Sequence, residues 1–320
     1  MKVLITRQIP RVGIDLLRER LDVDLNASST PLDPDELRRR AADCDALLCL
    51  LTDAIDRQLL ADLPHLRIVS NHAVGVDNID VEAATERGIA VTNTPGVLTE
   101  ATADFTWALL LGLARRLVEG DRMMRAGDYP GWDPLMLLGT DLVGKTLGII
   151  GPGRIGKAVA RRARGWEMTI RYCGRSDHPD WERELGATRL ALDDLLAEAD
   201  VVSLHVPLNE ETHHLLDGPR LRKMKPTALL INTARGPVID EEALVAALRD
   251  RAIGGAALDV FEREPDTAPG LVDLDNVLLA PHIASATVDT RNRMAEIAAR
   301  NIVRFLDGER PVSIVNPEVL

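Results

Sequence analysis

The sequence predicts an α/β fold with two doubly wound parallel sheets. Short apolar runs of strand length alternate with helix-length segments along nearly the whole chain, which is the pattern of βαβ units. A long helical segment followed by a stretch bearing glycine and proline (GDYPGWDP) divides this alternation into two series. A chain of 320 residues is also long enough for two domains.

The first hundred residues contain the first alternating series. Apolar runs predict strands at Lys2–Thr6, Val23–Leu25, Ala46–Leu51, Arg67–Asn71 and Ile89–Thr92. Helical patterns lie between them, among them Arg11–Leu21, Asp35–Ala42 and Val81–Arg87. Strands that are separated by helix-length spacers are expected to form a parallel sheet.

One long helix is predicted from Thr99 to about Arg125, with Thr99 as its N-cap and Gly127 ending it. The second series then begins with a strand at Thr146–Ile150. Further strands are predicted at Thr169–Cys173, Val201–Val206, Ala228–Asn232, Gly255–Leu258 and Val277–Ala280. A final helix is predicted from Val288 to Leu306.

Composition excludes several classes of protein. With 38 basic and 50 acidic residues the net charge is −12, and only nine residues are aromatic, which argues against nucleic-acid binding. The longest apolar stretch, around Phe105 to Ala114, is too short to span a bilayer, and the first residues carry no leader pattern. Three scattered cysteines indicate neither a disulfide framework nor a zinc site. We expect a cytoplasmic protein that binds no metal, nucleic acid or membrane.

A glycine-rich loop opens the second series. Residues Gly151, Pro152, Gly153, Arg154, Ile155 and Gly156 follow a buried-looking strand and begin a helical pattern. In this setting G-x-G-x-x-G predicts a dinucleotide site. The first glycine permits a tight turn, the second lets backbone N–H groups approach a pyrophosphate, and the third lets helix and strand pack closely.

A phosphate-binding P-loop is the alternative for the same residues. Gly151 to Lys157 matches the first seven positions of G-x-x-x-x-G-K-[ST]. The eighth position must be serine or threonine to ligate magnesium, and here it is Ala158. Pro152 also removes one N–H donor. The sequence therefore disfavours an ATPase.

The end of the next strand bears on the choice of cofactor. An NAD enzyme is expected to carry an acid there for the ribose, but this chain has Arg175 and Ser176, and its first acid is Asp177. An arginine can clamp a ribose 2′-phosphate. NADP(H) is therefore favoured over NAD(H). The alternative is that Arg175 is a solvated loop charge and Asp177 reaches the ribose.

Three polar residues lie just beyond predicted strands of the second series: Arg235, Glu264 and His282. Ligands of open parallel sheets bind beyond the carboxyl ends of strands, so these side chains are expected to converge near the glycine loop. Arginine can grip a carboxylate, histidine can give a proton, and a carboxylate can orient the histidine. This set suits reduction of a keto acid.

The chain resembles the D-isomer-specific 2-hydroxyacid dehydrogenase family. The similarity lies in GPGRIGKAVARRA, INTARGPVIDEEALVAAL, AALDVFEREP, NVLLAPHIASAT, AVGVDNID and TEATADFTWALLLGLARR. Within the family, GDYPGWDPLMLLG and the pair Gly174-Arg175 most resemble glyoxylate/hydroxypyruvate reductases. The resemblance implies an NAD(P)-dependent enzyme that reduces small 2-keto acids to D-2-hydroxy acids.

The resemblance also implies a domain organisation. A flavodoxin-like substrate domain would comprise residues 1–98 and 285–320, around a central Rossmann cofactor domain of residues 99–284. A helix and arm at about 99–143 would form a homodimer.

By position, the resemblance assigns roles to individual residues. Arg235 would bind the substrate carboxylate, His282 would be the acid in reduction and the base in oxidation, and Glu264 would hydrogen-bond to His282 and raise its pKa. Backbone N–H groups around Val74 and Gly75 would hold the carboxylate from the other domain. Asp259 would orient the nicotinamide carboxamide. The cofactor would be lined by Thr102, Val206, Thr212 and Thr233.

Two departures from the family pattern concern the substrate. Several relatives have a second tryptophan in the arm where this chain has Met136, and phosphite-oxidising relatives carry a lysine where this chain has Ala73-Val74. Met136 and Leu51 would shape the pocket. The alternatives are a 2-ketogluconate reductase with the same catalytic residues, and a family member that senses nucleotides without turnover.

Overall fold

The computed structural model describes all 320 residues, which form two compact units, Met1–Leu98 with Ala286–Leu320, and Thr99–Ser285. The first 98 residues contain β1 (Lys2–Ile5), α1 (Arg11–Arg18), β2 (Asp22–Leu25), α2 (Pro34–Ala41), β3 (Ala46–Cys49), α3 (Arg57–Asp62), β4 (Ile68–Asn71), α4 (Val81–Glu86) and β5 (Ala90–Thr92). None of the helices in the structure is both long and apolar enough to cross a membrane.

The second unit contains α5 (Thr99–Ala114), α6 (Leu117–Ala126), β6 (Thr146–Ile150), α7 (Arg154–Ala163), β7 (Thr169–Cys173), α8 (Pro179–Leu185), β8 (Thr188–Arg189), α9 (Leu192–Glu198), β9 (Val201–Leu204), α10 (Gly218–Leu221), β10 (Leu229–Asn232), α11 (Glu241–Arg249), β11 (Gly255–Leu258) and β12 (Val277–Leu279). The chain then returns to the first unit with α12 (Val288–Leu306).

The first unit is a five-stranded parallel sheet in the order β2-β1-β3-β4-β5, which is the flavodoxin-like order. Strands β3 and β4 are buried along their whole length, as expected where helices cover both faces of a sheet. The return helix α12 packs closely on α1. A Cβ at Gly13 would lie 2.7 Å from the Ala295 carbonyl oxygen, so this contact requires glycine.

The second unit is a seven-stranded parallel sheet in the order β12-β11-β10-β9-β6-β7-β8. Side chains of β6 alternate between two cores, with Leu147 and Ile149 in one and Ile150 in the other. The strand order reverses between β6 and β9, and such a switch point is where open α/β sheets bind ligands. The predicted fold class, two doubly wound parallel-sheet α/β domains, is confirmed.

The prediction of one helix from Thr99 to Arg125 is wrong. The helix is broken after Ala114, because Arg116 adopts a left-handed backbone conformation (φ 51°). The Ala114 carbonyl accepts a hydrogen bond from the Thr140 N–H (2.8 Å), where a continuous helix would use residue 118. The segment returning from the GDYPGWDP stretch thus ends α5, and α6 buries none of its residues.

Candidate active site

The glycine loop lies at the switch point of the second unit, and close backbone contacts require two of its three glycines. A Cβ at Gly151 (φ 99°) would lie 2.6 Å from the His205 carbonyl oxygen at the end of β9. A Cβ at Gly156 would lie 2.4 Å from the Gly151 carbonyl oxygen, so α7 packs directly on the loop. A Cβ at Gly153 would meet nothing within 4 Å.

The open space at Gly153 fits a pyrophosphate. Gly153 is the N-cap of α7 and brings no capping side chain, so the first N–H groups of the helix are available to an anion. Arg154 and Ile155, also predicted to contact the cofactor, form the first turn of this helix. The residues present therefore suit a dinucleotide.

Lys157 argues against the P-loop alternative. Its ammonium group contacts Asp180 and lies 3.0 Å from Glu184, both on α8. These hydrogen bonds raise the pKa of Lys157 above its ordinary value. A P-loop lysine would instead have to reach the phosphates.

The loop after β7 carries the residues predicted to choose between cofactors. Arg175 and Ser176 are exposed there, and Gly174 packs on the glycine loop, since a Cβ at Gly174 would lie 2.5 Å from Cγ of Pro152. Asp177 is 2.8 Å from Arg189, on a strand (β8) that the sequence did not predict. Two residues are too few to show a strand periodicity, and Arg189 was therefore missed.

Glu264 and His282 form a hydrogen-bonded pair, with His282 Nδ1 2.9 Å from Glu264 Oε2. The other carboxylate oxygen of Glu264 accepts the Phe261 N–H (3.1 Å). Burial acts to raise the pKa of Glu264, but the bond to His282, this N–H and the charge of Arg235 outweigh it and lower that pKa. The carboxylate therefore stays ionised, which leaves Nε2 of His282 for proton exchange.

Asp259 fixes the backbone that carries His282. Its carboxylate is fully buried and accepts the N–H groups of Ile283 and Ala284, each at 2.7 Å. His282 itself has a left-handed backbone (φ 55°), which costs free energy and persists only where neighbouring contacts impose it. Burial raises the pKa of Asp259, while the two N–H groups oppose that rise. The predicted contact of Asp259 with a nicotinamide carboxamide stays a prediction.

Arg235 is held beyond the end of β10 by Asn232, which the sequence reasoning did not single out. The Asn232 amide donates to the Arg235 carbonyl (2.9 Å) and accepts the Ala234 N–H (3.0 Å). Asn232 is buried, so these bonds fix the turn that presents the guanidinium. The charge of Arg235 acts on Glu264, so the three predicted catalytic residues lie together in this unit.

The other residues predicted to line the cofactor are distributed along the same edge. Thr102 and Thr233 are buried and are bridged by Thr106, whose hydroxyl donates to the Thr102 carbonyl and lies 3.0 Å from the Thr233 hydroxyl. Val206 lies two residues beyond the end of β9. The Thr212 hydroxyl donates to the Pro207 carbonyl (2.6 Å) and closes the loop after that strand. Their cofactor contacts stay predictions.

In the first unit, the residues Val74 and Gly75 follow β4. Asn93 donates to the Val74 carbonyl (2.7 Å) and Asn71 to the Gly75 carbonyl (2.8 Å), whereas neither N–H is hydrogen-bonded within the unit. The two asparagine side chains fix the turn through its carbonyl groups. The N–H groups of Val74 and Gly75 remain as two adjacent hydrogen-bond donors. Leu51, half-buried after β3, borders a cleft of about 440 Å³.

His72 precedes this turn and is buried. Burial, with the positive charge of Arg291 as a second cause, lowers the pKa of His72 to about 4. Its Nδ1 atom is enclosed without a hydrogen-bond partner. No group of three or more His, Cys, Asp or Glu side chains in the chain could hold a metal ion.

Comparison with known proteins identifies relatives along the full chain. The profile of the family described as "D-isomer specific 2-hydroxyacid dehydrogenase, NAD binding domain" matches residues 107–284. The glyoxylate reductase of Thermococcus onnurineus is 52% identical over 323 residues, covering 100% of this chain and 97% of the relative. Together, these findings confirm the family resemblance.

Two solved structures are similar in fold and sequence. A Thermus thermophilus protein has a TM-score of 0.93 and 48% identity, covering 98% of this chain and 100% of its own. The NADPH-dependent glyoxylate/hydroxypyruvate reductase of Sinorhizobium meliloti, in complex with NADP and malonate, has a TM-score of 0.87 and 33% identity, covering 99% and 97%.

The buried His72 predicts a stability that rises with pH. Unfolding exposes a histidine of pKa near 6.5, whereas the folded chain does not protonate His72 until about pH 4. Between these values the unfolded state binds more protons, so acid favours unfolding. From pH 7 to 5, this should lower the free energy of unfolding by about 2 kcal/mol.

The measurement is urea unfolding at a series of pH values for the wild type and His72→Gln. The variant should lose about 2 kcal/mol less than the wild type over that range. Loss of an exposed histidine in His65→Gln is the control. Equal pH dependence in the wild type and His72→Gln would contradict the assignment.

Proposed function

Since this chain belongs to the D-isomer specific 2-hydroxyacid dehydrogenase family, we propose that it reduces small 2-keto acids of the glyoxylate and hydroxypyruvate type to D-2-hydroxy acids, with NADP(H) preferred. The observation that carries the proposal is the Glu264–His282 pair next to the charge of Arg235. A proton donor and a carboxylate-binding cation are the two groups that reduction of a keto acid requires.

The cofactor would be held by the glycine loop and the edge around it. The first turn of α7 would take the pyrophosphate at Gly153, and Arg175 with Ser176 would take the ribose 2′-phosphate. When bound, the nicotinamide supplies the hydride for the reduction. The proposed set of cofactor-binding residues also includes Asp259, Thr102, Thr233, Val206 and Thr212.

His282 would give a proton to the substrate oxygen during reduction and take it back during oxidation. Glu264 accepts a hydrogen bond from Nδ1, so it holds the ring, and the exchanged proton would sit on Nε2. Arg235 would grip the carboxylate of the substrate and polarise the keto oxygen beside it. In the first unit, the N–H groups of Val74 and Gly75 are the proposed donors to that carboxylate.

Support for the substrate class comes from the relatives. The Thermococcus protein at 52% identity is a glyoxylate reductase, and the Sinorhizobium structure holds malonate, a small carboxylate. A 2-ketogluconate reductase would use the same catalytic residues, and no observation in the structure favours it. A nucleotide sensor of this family would retain the same three residues, and a turnover assay separates it from an enzyme.

We propose a homodimer formed through α6 and the segment after it. This stretch exposes large apolar side chains, among them Trp132 (83%) and Leu135 (76%). Large exposed apolar side chains concentrated in one segment are typical of association sites. A second copy of the chain is the occupant that the family resemblance implies.

Replacement of the proton donor tests the chemistry. We expect His282→Ala to lower kcat about 10²- to 10⁴-fold, the usual effect of losing a general acid. The control is His214→Ala, which removes a histidine paired with Glu262 at a similar distance (3.0 Å). Turnover by His282→Ala within a few-fold of the wild type would refute the assignment.

Charge reversal at Arg175 tests the choice of cofactor. Arg175→Asp should lower kcat/KM for NADPH and raise it for NADH, because a carboxylate repels a 2′-phosphate and can bind ribose hydroxyls. Arg183→Asp, the same change at an exposed position on α8, is the control. An unchanged NADPH-to-NADH ratio in Arg175→Asp would exclude the clamp.

The dimer is tested by light scattering on the purified protein. The mass measured for the wild type should be twice the chain mass of 35.0 kDa. The mass measured for Leu135→Glu should be lower than that of the wild type. Val272→Glu places the same charge at another exposed apolar position and should leave the mass unchanged. A wild-type mass of one chain at micromolar concentration would contradict the proposal.

A further inference from the structure

We propose that Arg189 is a positioning residue that selects NADP(H) by withholding the carboxylate of Asp177 from the cofactor ribose. The inference rests on the proposed use of NADP(H) and deepens it. Asp177 lies in the same loop as Arg175, and a carboxylate there would ordinarily favour NAD(H). Neither the glycine loop nor Arg175 removes that effect. The contacts of Arg189 supply that explanation.

Arg189 binds the loop after β7 at three acceptors. One guanidinium nitrogen donates to Asp177 Oδ1 at 2.8 Å. A second donates to the Gly174 carbonyl at 2.8 Å and the Arg175 carbonyl at 3.3 Å. The guanidinium therefore fixes both the acid and the backbone on which Arg175 is carried.

The far end of the loop is fixed as well. The Tyr172 hydroxyl accepts the His178 N–H at 2.9 Å, and Tyr172 is the residue of β7 that pairs with Arg189 of β8. Gly174, at the near end, lies against Pro152 of the glycine loop. The segment from Gly174 to His178 is thus a closed loop beside the proposed pyrophosphate site.

The carboxylate of Asp177 lies where its negative charge would repel a ribose 2′-phosphate. It is the first acid after β7, where an NAD enzyme uses a carboxylate to bind ribose hydroxyls. A free carboxylate in this loop would repel a phosphate dianion and could take up the ribose hydroxyls of NAD(H). The ion pair with Arg189 neutralises that charge and holds it in place.

The test measures how much the ribose 2′-phosphate contributes to binding. The affinities of 2′,5′-ADP and 5′-ADP are compared by isothermal titration calorimetry. Arg189→Met keeps the aliphatic stem and removes the three hydrogen bonds. Arg189→Met/Asp177→Asn also removes the freed charge. Arg171→Met is the matched control, because Arg171 on β7 binds Glu198 and Thr188 and does not contact the loop.

In Arg189→Met the affinity ratio of 2′,5′-ADP to 5′-ADP should fall about fivefold, the size of one exposed charge pair. The double variant should return towards the wild-type ratio, and Arg171→Met should keep it. The ratio of kcat/KM for NADPH and NADH should change in parallel. The two Arg189 variants share any loss of stability, so their difference isolates the charge of Asp177.

Two outcomes would overturn the proposal. A ratio in Arg189→Met within experimental error of the wild type would show that Arg189 has no part in selection. A double variant as impaired as Arg189→Met would show that Asp177 is not the group through which Arg189 acts. The proposed NADP(H) preference fails separately, if the wild type itself binds 5′-ADP as tightly as 2′,5′-ADP.

Discussion

The buried carboxylate of Asp259 is the constraint on which the proposed chemistry depends. Its hydrogen bonds to the N–H groups of Ile283 and Ala284 fix the chain immediately after His282, whose left-handed backbone would not persist without such contacts. With that backbone fixed, Nδ1 of His282 meets Glu264. A substitution that removed the Asp259 carboxylate would therefore displace His282 without changing the histidine side chain itself.

Parallel strand topology explains why residues far apart in sequence meet. Glu264 and Asp259 follow β11, His282 follows β12 and Arg235 follows β10, and these strands are neighbours in one parallel sheet. Their carboxyl ends therefore lie along one edge, beside the switch point between β6 and β9 where the glycine loop lies. Buried asparagines such as Asn232 then fix the turns, so that each functional side chain leaves the sheet at a fixed point.

The sequence predicted helices, strands and loops correctly where the local pattern and the tertiary structure agree. The strand at Thr146–Ile150, the glycine loop and the helix at Val288–Leu306 carry strong apolar periodicity and punctuation, and the structure has them at the same residues. The break at Arg116 was missed because the Thr140 N–H that ends α5 lies 26 residues beyond Ala114. Arg189 and Asn232 were missed for a related reason, since their roles consist of contacts with backbone carbonyls that no local pattern records.

The proposed activity is tested most directly by following NADPH and NADH oxidation by the purified protein with glyoxylate, hydroxypyruvate, pyruvate and 2-ketogluconate. We expect rapid oxidation with glyoxylate or hydroxypyruvate, and a higher kcat/KM with NADPH than with NADH. Turnover of 2-ketogluconate alone would contradict the substrate class. Tight binding of NADPH without oxidation in the presence of any of the four acids would contradict the catalytic assignment.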